Sequence, residues 1–503
     1  MQDQKKAGVL ISYLTIGMNI LVQLFYTPLM LQLLGQEEYG VYTLSSGIIS
    51  YLSLFDLGLS STYLKFYFKY KKENDSEKIA ILNGTFFKVF FILSFLVMIS
   101  GISLAVNISN FFKHSLTANE VGRARIVMLI LTASMGLTLM SNVWTAIIIA
   151  NEKFVSQKGL GLFKIIFSPF IAVPLMLKGY GAVSTAIASL AVSILSLTYS
   201  FLYCNRRIGC EMNLRGNHKG LLFEMFGFSF FIFLNDIISQ INWNIDKVLL
   251  GYFRGTVETA IYGLGSQIDT IYRSLSTSIS SVFVPTVNRI INEEERSAKI
   301  SELFVRVGRL QYMIIFPILE GFLFYGQKFI ELWAGKEYAG SYMVALLLML
   351  PATVPLIQNI GIDIQRAKNK HKFRSVIYSV MAVINIVISI PLCIRWGAAG
   401  SAVGTFFSLA IGNGLIMNVY YAKHLSLDIK SFWLEIWRLT KAMILPTLTA
   451  VLSVKFIGTA SVSTFIVCLV AYILSYLFSI IVFGLNKNEK MYLKDVIRKI
   501  IGR

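Results

Sequence analysis

Apolar stretches of about 20 residues recur along the whole chain, separated by short polar connections. A helix of about 20 residues crosses about 30 Å of hydrocarbon. The pattern therefore predicts an all-α polytopic membrane protein with about fourteen transmembrane helices. The approximate spans are residues 8–34, 41–63, 80–108, 126–149, 156–177, 181–203, 220–244, 257–286, 309–330, 341–365, 375–394, 398–421, 441–456 and 461–484.

The Lys and Arg residues are unevenly divided between alternate connections. The side that holds both termini carries 35 of the 46, counting Lys88 just inside the third span, while the other side carries ten and Arg273 lies within a span. Cytoplasmic loops of membrane proteins are enriched in these residues. We therefore expect both termini to be cytoplasmic.

The chain also contains an internal repeat. Three short motifs recur in the same order at an offset of 216–221 residues, and they begin at Gly35 and Gly255, at Ser76 and Ser297, and at Pro174 and Pro391. The offset spans six helices, an even number, so the two copies run in parallel, an arrangement typical of transporters with a substrate site between the halves. A duplicated scaffold without transport is the alternative.

This repeat predicts two six-helix lobes around a central cavity, followed by two extra helices. The predicted divisions are residues 1–215 for the first lobe, 216–425 for the second, and 426–503 for two further transmembrane helices and a basic cytoplasmic tail.

Composition agrees with a membrane protein and excludes several classes. The chain is 55% hydrophobic and only 15% charged, unlike soluble domains, which are about 25% charged. The net charge of +19 is explained by the cytoplasmic connections, so no nucleic-acid partner is expected. The sequence has no phosphate-binding loop, His-Glu-x-x-His or Asp-x-Asp motif. We therefore predict a non-enzyme without a cofactor, driven by an ion gradient, the membrane potential or consumption of the product.

Ionisable residues inside spans are the candidates for chemistry, because each costs about 2.5–3.5 kcal/mol to insert. Arg273 lies near the middle of span eight, on a polar face that it shares with Tyr262, Ser266, Asp269, Ser276 and Ser280. One hypothesis makes Arg273 a fixed cation for an anionic substrate. The alternative is a structural ion pair with Asp269, four residues away.

Further polar residues extend the candidate site. For an anionic or polar group of a substrate, the other candidates are Gln23, Lys65, Lys88, Asn235, Asn242 and Lys247. Packing polarity within a helix and snorkelling of lysines to the interface are the alternatives. For a coupling ion, Na⁺ or H⁺, the candidates are Asp56, Asp236, Glu320, Asn359 and Asp363, whose oxygens suit a hard cation. An acid–arginine pair with Arg366 explains part of the same set.

The sequence resembles the oligosaccharide and polysaccharide flippases, of the O-antigen and capsule repeat-unit type, in the multidrug/oligosaccharidyl-lipid/polysaccharide exporter superfamily. The motifs that carry the resemblance are Leu34-Gly35-x3-Tyr39-Gly40-Val41-Tyr42, Asp56-Leu57-Gly58-Leu59, Asn244-x-Asp246-Lys247-x-Leu249-x-Gly251, Pro285, Trp333-x-Gly335-x-Glu337-Tyr338 and Gly397-Ala398-Ala399-Gly400. Each motif is short, but their order and spacing are typical of the family.

The resemblance implies alternating access that moves an undecaprenyl-diphosphate-linked oligosaccharide from the inner to the outer leaflet of a bacterial cytoplasmic membrane. It also implies membrane lipids as partners, together with a polysaccharide polymerase and assembly proteins. Asp236, Asn359 and Asp363 resemble the cation site of relatives that flip the peptidoglycan precursor. Arg273 stands where the family often has an uncharged residue. A drug/cation antiporter, a peptidoglycan-precursor flippase and a membrane-embedded polymerase or glycosyltransferase remain as alternatives.

Overall fold

The computed structural model describes residues 2–215, 219–291, 296–368, 370, 372–458, 461–487 and 489–491. In these ranges every regular element is helical. The α-helices are α1 (Gln2–Ser50), α2 (Leu59–Lys72), α3 (Ser76–Val106), α4 (Ile108–Phe111), α5 (Ala118–Ala150), α6 (Phe154–Leu177), α7 (Val183–Tyr203), α8 (Lys219–Phe253), α9 (Thr256–Ile291), α10 (Arg296–Trp333), α11 (Ser341–Ile357), α12 (Ile360–Ala367), α13 (Lys372–Leu409), α14 (Met417–Leu425), α15 (Ile429–Lys441), α16 (Ile444–Leu452) and α17 (Val462–Ser479). The predicted all-α class is confirmed.

Nine helical segments of the described chain are long and apolar enough to cross a membrane, or eleven if two bent pairs each count as one span. Lys372–Leu425 contains two of the predicted spans, and Leu14–Lys72 contains one and most of another. Helix α9, the predicted eighth span, is not among them. The count of about fourteen therefore stays a prediction.

Glycines with a positive φ angle interrupt two of the longest helices. Gly35 breaks α1 with φ 73° and ψ 172°, and Gly397 breaks α13 with φ 57° and ψ −135°. Residues with a side chain rarely adopt these angles. Each glycine therefore separates two helical arms that the hydrophobic pattern assigns to different spans.

Helix α8 extends further than the sequence suggests. The predicted span ends at residue 244, whereas α8 continues to Phe253. Two side-chain hydrogen bonds cross the predicted end: the Asn244 amide donates to Gln240 Oε1 at 2.7 Å, and Lys247 Nζ donates to Asn244 Oδ1 at 3.2 Å. Polar side chains one turn apart thus contact one another at the point where the predicted span stops.

A capping carboxylate starts α3 in the connection after α2. Asp75 accepts a hydrogen bond from the Lys78 backbone N–H at 2.9 Å. The hydrogen bonds and charge of Lys78 lower the pKa of Asp75 below its usual value. The carboxylate therefore stays ionised at the helix N-terminus, where negative charge is favourable.

The helices pack into two compact units. The first comprises Met1–Gly263 with Ile390–Ser401, and the second comprises Leu264–Ser389 with Ala402–Arg503. The core of the first unit is rich in aromatic residues, including Tyr63, Phe86 and Phe90. The division predicted from the repeat, at residues 215 and 425, stays a prediction, and residues 492–503 of the predicted tail lie outside the described residues.

The core of the second unit includes Tyr272, Phe304 and Phe432, so it joins α9, α10 and α15. A buried arginine fixes its C-terminal segment. Arg309 of α10 is 4% exposed, and its guanidinium donates to Glu435 at 2.6 Å, to Glu489 at 2.7 and 3.0 Å, and to the Gly484 carbonyl at 3.1 Å. These charge-assisted bonds hold α15 and the segment after α17 on α10.

Candidate functional site

The polar face of α9 begins with the predicted pair. Arg273 Nε donates to Asp269 Oδ2 at 2.5 Å, and the two side chains are 19% and 5% exposed. The ion pair offered as the alternative role of Arg273 is therefore present. The role of Arg273 as a fixed cation for an anionic substrate stays a prediction beside this ion pair.

The later part of this polar face packs against the end of α11 and the start of α12. The Tyr272 and Thr353 hydroxyls lie 2.8 Å apart, and Ser276 Oγ donates to the Leu356 carbonyl at 3.0 Å. The Asn359 amide donates to Ser280 Oγ at 2.7 Å. Hydrogen bonds of this kind join helices where water is scarce. Part of the predicted polar face therefore forms a buried interhelical seam.

Helix α8 carries four substrate or ion candidates in different surroundings. Asn235 and Asp236 are exposed, whereas Asn242 and Lys247 are half-buried. The aliphatic part of Lys247 packs against Gly47, since a Cβ atom added at Gly47 would lie 3.2 Å from Lys247 Cβ. Close packing fixes the Lys247 side chain beside α1.

The polar contacts of α8 continue into the segment after α1. The Gln240 amide donates to Ser53 Oγ at 2.8 Å. Together with the Gln240, Asn244 and Lys247 contacts described above, this bond forms a continuous polar chain within the first unit. The chain ends at the Lys247 ammonium group, and the role of Lys247 in substrate binding stays a prediction.

Four of the other predicted residues lie in the chain up to the end of α3. The Gln23 amide donates to Asn19 Oδ1 at 3.1 Å, and Lys65 and Lys88 are exposed. Asp56 Oδ1 accepts from Ser60 Oγ at 2.7 Å and from the Asn142 amide at 3.4 Å. Neutral donors thus surround Asp56.

The predicted ion ligands belong to both units. Asp236 lies in the first unit, while Asn359 and Asp363 lie one turn apart in the second. Asp363 Oδ1 is 3.6 Å from Arg366 Nη1, so the acid–arginine pair is present. The shared cation site of these three residues stays a prediction.

Glu320 connects α10 to the last two helices. Its carboxylate accepts from the Thr447 hydroxyl and, at 3.0 Å, from the Tyr472 hydroxyl. Tyr472 OH also lies 2.8 Å from the Pro317 carbonyl. These contacts assign Glu320 a packing role between α10, α16 and α17, and its predicted part in ion coupling stays a prediction.

A family model described as polysaccharide biosynthesis protein matches residues 29–343, which is more than half of the chain. The chain belongs to this polysaccharide biosynthesis protein family. The match includes the α8 candidates, Asp269 and Arg273, so these residues lie within the part of the chain that defines the family.

Relatives of this polysaccharide biosynthesis protein carry transporter names. A Shigella flexneri protein named "Putative O-antigen transporter" is 22% identical over 74% of the chain and 86% of its own length. A Haloferax volcanii protein named "Probable flippase" is 20% identical over 76% of each chain. The predicted flippase resemblance is confirmed.

Solved structures share the fold. The lipid II flippase MurJ, in an inward closed conformation, superposes with a TM-score of 0.74 at 18% identity, covering 97% of this chain and 100% of MurJ. An inward-facing multidrug transporter of the same superfamily gives a TM-score of 0.58 at 11% identity, covering 82% of this chain and 96% of its own. The polysaccharide biosynthesis protein therefore has the fold of this transporter superfamily.

One buried carboxylate of the family region was not predicted as a site residue. Asp246 is fully buried, and it accepts from the Tyr262 hydroxyl at 2.7 Å and from the Ser401 hydroxyl at 2.6 Å. It therefore joins α8 to α9 and to the arm of α13 after Gly397. Its place in the Asn244-x-Asp246-Lys247 motif, just after the predicted seventh span, was the available signal.

Proposed function

We propose that the protein is a lipid-linked oligosaccharide flippase that moves undecaprenyl-diphosphate-linked polysaccharide repeat units from the inner to the outer leaflet of a bacterial cytoplasmic membrane. The observation that carries the proposal is Arg273 in the interior of α9, next to a buried polar seam, in a chain of the polysaccharide biosynthesis family. A pyrophosphate needs a fixed cation, whereas a prenyl chain can remain in the lipid. Lys247 is the second cation of this proposal.

The mechanism that we propose is alternating access with both termini in the cytoplasm. The protein positions the substrate and does not break or form covalent bonds. The sequence repeat supports alternating access, and the Lys and Arg distribution supports the cytoplasmic termini. A polysaccharide polymerase and assembly proteins are the partners that would consume the product.

The function can be tested in vesicles that contain the purified protein and an undecaprenyl-diphosphate oligosaccharide with a fluorescent label on the sugar. Dithionite outside the vesicles bleaches only the outer leaflet, so flipping should raise the bleached fraction from the outer-leaflet share towards completion. A labelled phosphatidylcholine is the control and should stay at the outer-leaflet share. Equal bleaching of both lipids, or no bleaching above that of empty vesicles, would contradict the proposal.

Ion coupling through Asp363 predicts a specific response to sodium. We expect sodium chloride to raise the melting temperature of the parent protein, because an ion that binds only the folded state stabilises it. The Asp363→Asn variant should lose this response, and potassium chloride should not reproduce it. The Arg366→Gln variant is the matched control: removal of the cation at 3.6 Å should strengthen the sodium response. Equal shifts in the parent and in Asp363→Asn would refute the site.

A further inference from the structure

Two glutamates hold the ends of distant helices at equivalent places in the repeat. Glu38 Oε2 accepts the backbone N–H of Ala182 at 2.7 Å, and Glu258 Oε2 accepts the backbone N–H of Ala398 at 2.7 Å. Ala182 precedes α7, and Ala398 begins the second arm of α13. Alanine has no side chain that can cap a helix, so a carboxylate from another helix supplies the cap.

A glycine precedes each capped residue and makes room for the carboxylate. Gly181 and Gly397 have φ angles of 54° and 57°. A Cβ atom at Gly181 would lie 2.6 Å from Glu38 Oε2, and one at Gly397 would lie 2.4 Å from Glu258 Oε2. Each glycine is therefore required both for its backbone conformation and for the approach of the glutamate.

The two caps also share their local sequence. Glu38 and Glu258 each follow, by three residues, a glycine with a positive φ angle, Gly35 and Gly255. Both pairs are separated by 220 residues, and the capped alanines are separated by 216, in agreement with the repeat. Duplicated geometry at duplicated positions indicates a function that each half of the chain needs.

The first cap has an additional partner. Glu38 forms an ion pair with Arg123 of α5, whose side chain is 48% exposed. Among the described residues no ion pair of Glu258 is found. The Glu38→Gln substitution would therefore remove an ion pair and weaken the hydrogen bond to Ala182. The Glu258→Gln substitution would weaken only the hydrogen bond to Ala398.

We propose that Glu38 and Glu258 are positioning residues for transport, each fixing the start of the sixth helix of its repeat to the segment that follows the first helix. In each copy the hydrogen bond between glutamate and alanine joins residues that are far apart in sequence, by 144 residues in the first copy and 140 in the second. The joined ends then move together during the transport cycle. The transport part of this inference rests on the proposed flippase function, and the joining of the helix ends does not.

The experiment measures distances between spin labels in the full-length protein, after replacement of its four cysteines by serine. One pair of labels is placed at Glu37 and Lys178, and the other at Val257 and Arg395, all exposed positions next to the caps. Glu38→Ala should broaden the first distance distribution and leave the second unchanged. Glu258→Ala should do the reverse.

Conservative variants distinguish loss of the capping hydrogen bond from a general loss of structure. Glu258→Gln keeps an oxygen that accepts the Ala398 N–H, so it should retain the narrow distribution, whereas Glu258→Asp is one methylene shorter and should not. Gly181→Ala should broaden the first distribution. Its matched control is Gly179→Ala: Gly179 also has a positive φ angle, 83°, but no atom within 4 Å of an added Cβ.

Flipping of the labelled undecaprenyl-diphosphate oligosaccharide is then measured for the same variants. Loss of a hydrogen bond to a charged group shifts an equilibrium by roughly tenfold or more, and we expect a fall of that order for Glu38→Ala and Glu258→Ala, with rescue in Glu258→Gln. Unchanged distances in both alanine variants would overturn the caps, and broadened distances with normal flipping would overturn their role in transport. If the alanine variants do not fold, the test uses two other comparisons of the distance distributions: Glu258→Gln with Glu258→Asp, and Gly181→Ala with Gly179→Ala. A parent protein that does not flip the probe refutes the flippase function and leaves the distance result standing.

Discussion

Replacement of Asp269 by asparagine is expected to destabilise the protein by about 3–5 kcal/mol, because the largely buried Arg273 guanidinium, 19% exposed, would lose its carboxylate partner. The double variant Asp269→Asn, Arg273→Gln removes both charges. Replacement of a whole buried ion pair is often close to neutral, so the double variant should recover most of the stability. The measurements are the melting temperature in detergent and the amount of protein in the membrane.

The same variants separate the two roles of Arg273. If the arginine serves only as the partner of Asp269, the double variant should flip the labelled oligosaccharide at the parental rate. If it binds the pyrophosphate, the double variant should be folded and inactive, and Arg273→Lys should keep part of the activity. Normal flipping by the double variant would end the substrate hypothesis for Arg273.

A second helical ion pair provides a control of similar spacing. Lys328 and Glu331 of α10 lie 3.6 Å apart, three residues from each other, and are 23% and 24% exposed. Pairs of this kind contribute about 0.2–0.5 kcal/mol. Lys328→Gln should therefore leave stability and flipping nearly unchanged. A loss equal to that of Asp269→Asn would show that the effect does not depend on the surroundings of Arg273.

The helical class and the repeat are predictable because both depend on local or periodic features. Apolar stretches must be long enough to cross the hydrocarbon, and a duplicated sequence keeps its motifs at a constant offset. Helix ends were less predictable. Helix α8 continues past residue 244 through a polar stretch in which side chains one turn apart bond to one another, and hydrophobicity alone does not reveal such a continuation.

The sequence contained part of the signal for two residues that were not predicted as site residues. Glu38 and Glu258 occupy equivalent positions in a Gly-x-x-Glu pattern, Gly35 to Glu38 and Gly255 to Glu258, inside a motif already used to find the repeat. Acidic residues near a helix start are common, however, and only the structure shows that these two cap other helices. The signal that could have identified Glu38 and Glu258 is a polar pattern that recurs in both copies of the repeat.

Asp246 illustrates what a sequence cannot reveal. Its polar character close to a predicted span was evident, but Tyr262 and Ser401, whose hydroxyls donate to it, are separated from it by 16 and 155 residues. No local pattern identifies Ser401 as a partner, since serine is common in transmembrane helices and also bonds within its own helix. The contact depends on the packing of α13 after the break at Gly397.

The Asp246→Ala variant is expected to lose stability because the carboxylate has no contact with solvent and two hydroxyl donors would remain in a buried, apolar place. A buried polar group without its partner costs about 1–3 kcal/mol, so the loss should be roughly 2–6 kcal/mol. Asp246→Asn keeps an acceptor oxygen and should lose less. The melting temperature in detergent reports the effect.

A double-mutant cycle with Tyr262→Phe decides whether the contact itself carries this energy. Tyr262→Phe removes one donor and should cost about 0.5–3 kcal/mol in the parent, but almost nothing when Asp246 is already alanine. Ser401→Ala should behave in the same way. If the stability losses of the single variants simply add, the Tyr262 and Ser401 hydroxyls are not what stabilises Asp246. A fully buried carboxylate would then require a nearby cation, and Lys247→Gln is the direct test of that cation. If they do not add, Asp246 is the residue through which α8 holds both α9 and the second arm of α13.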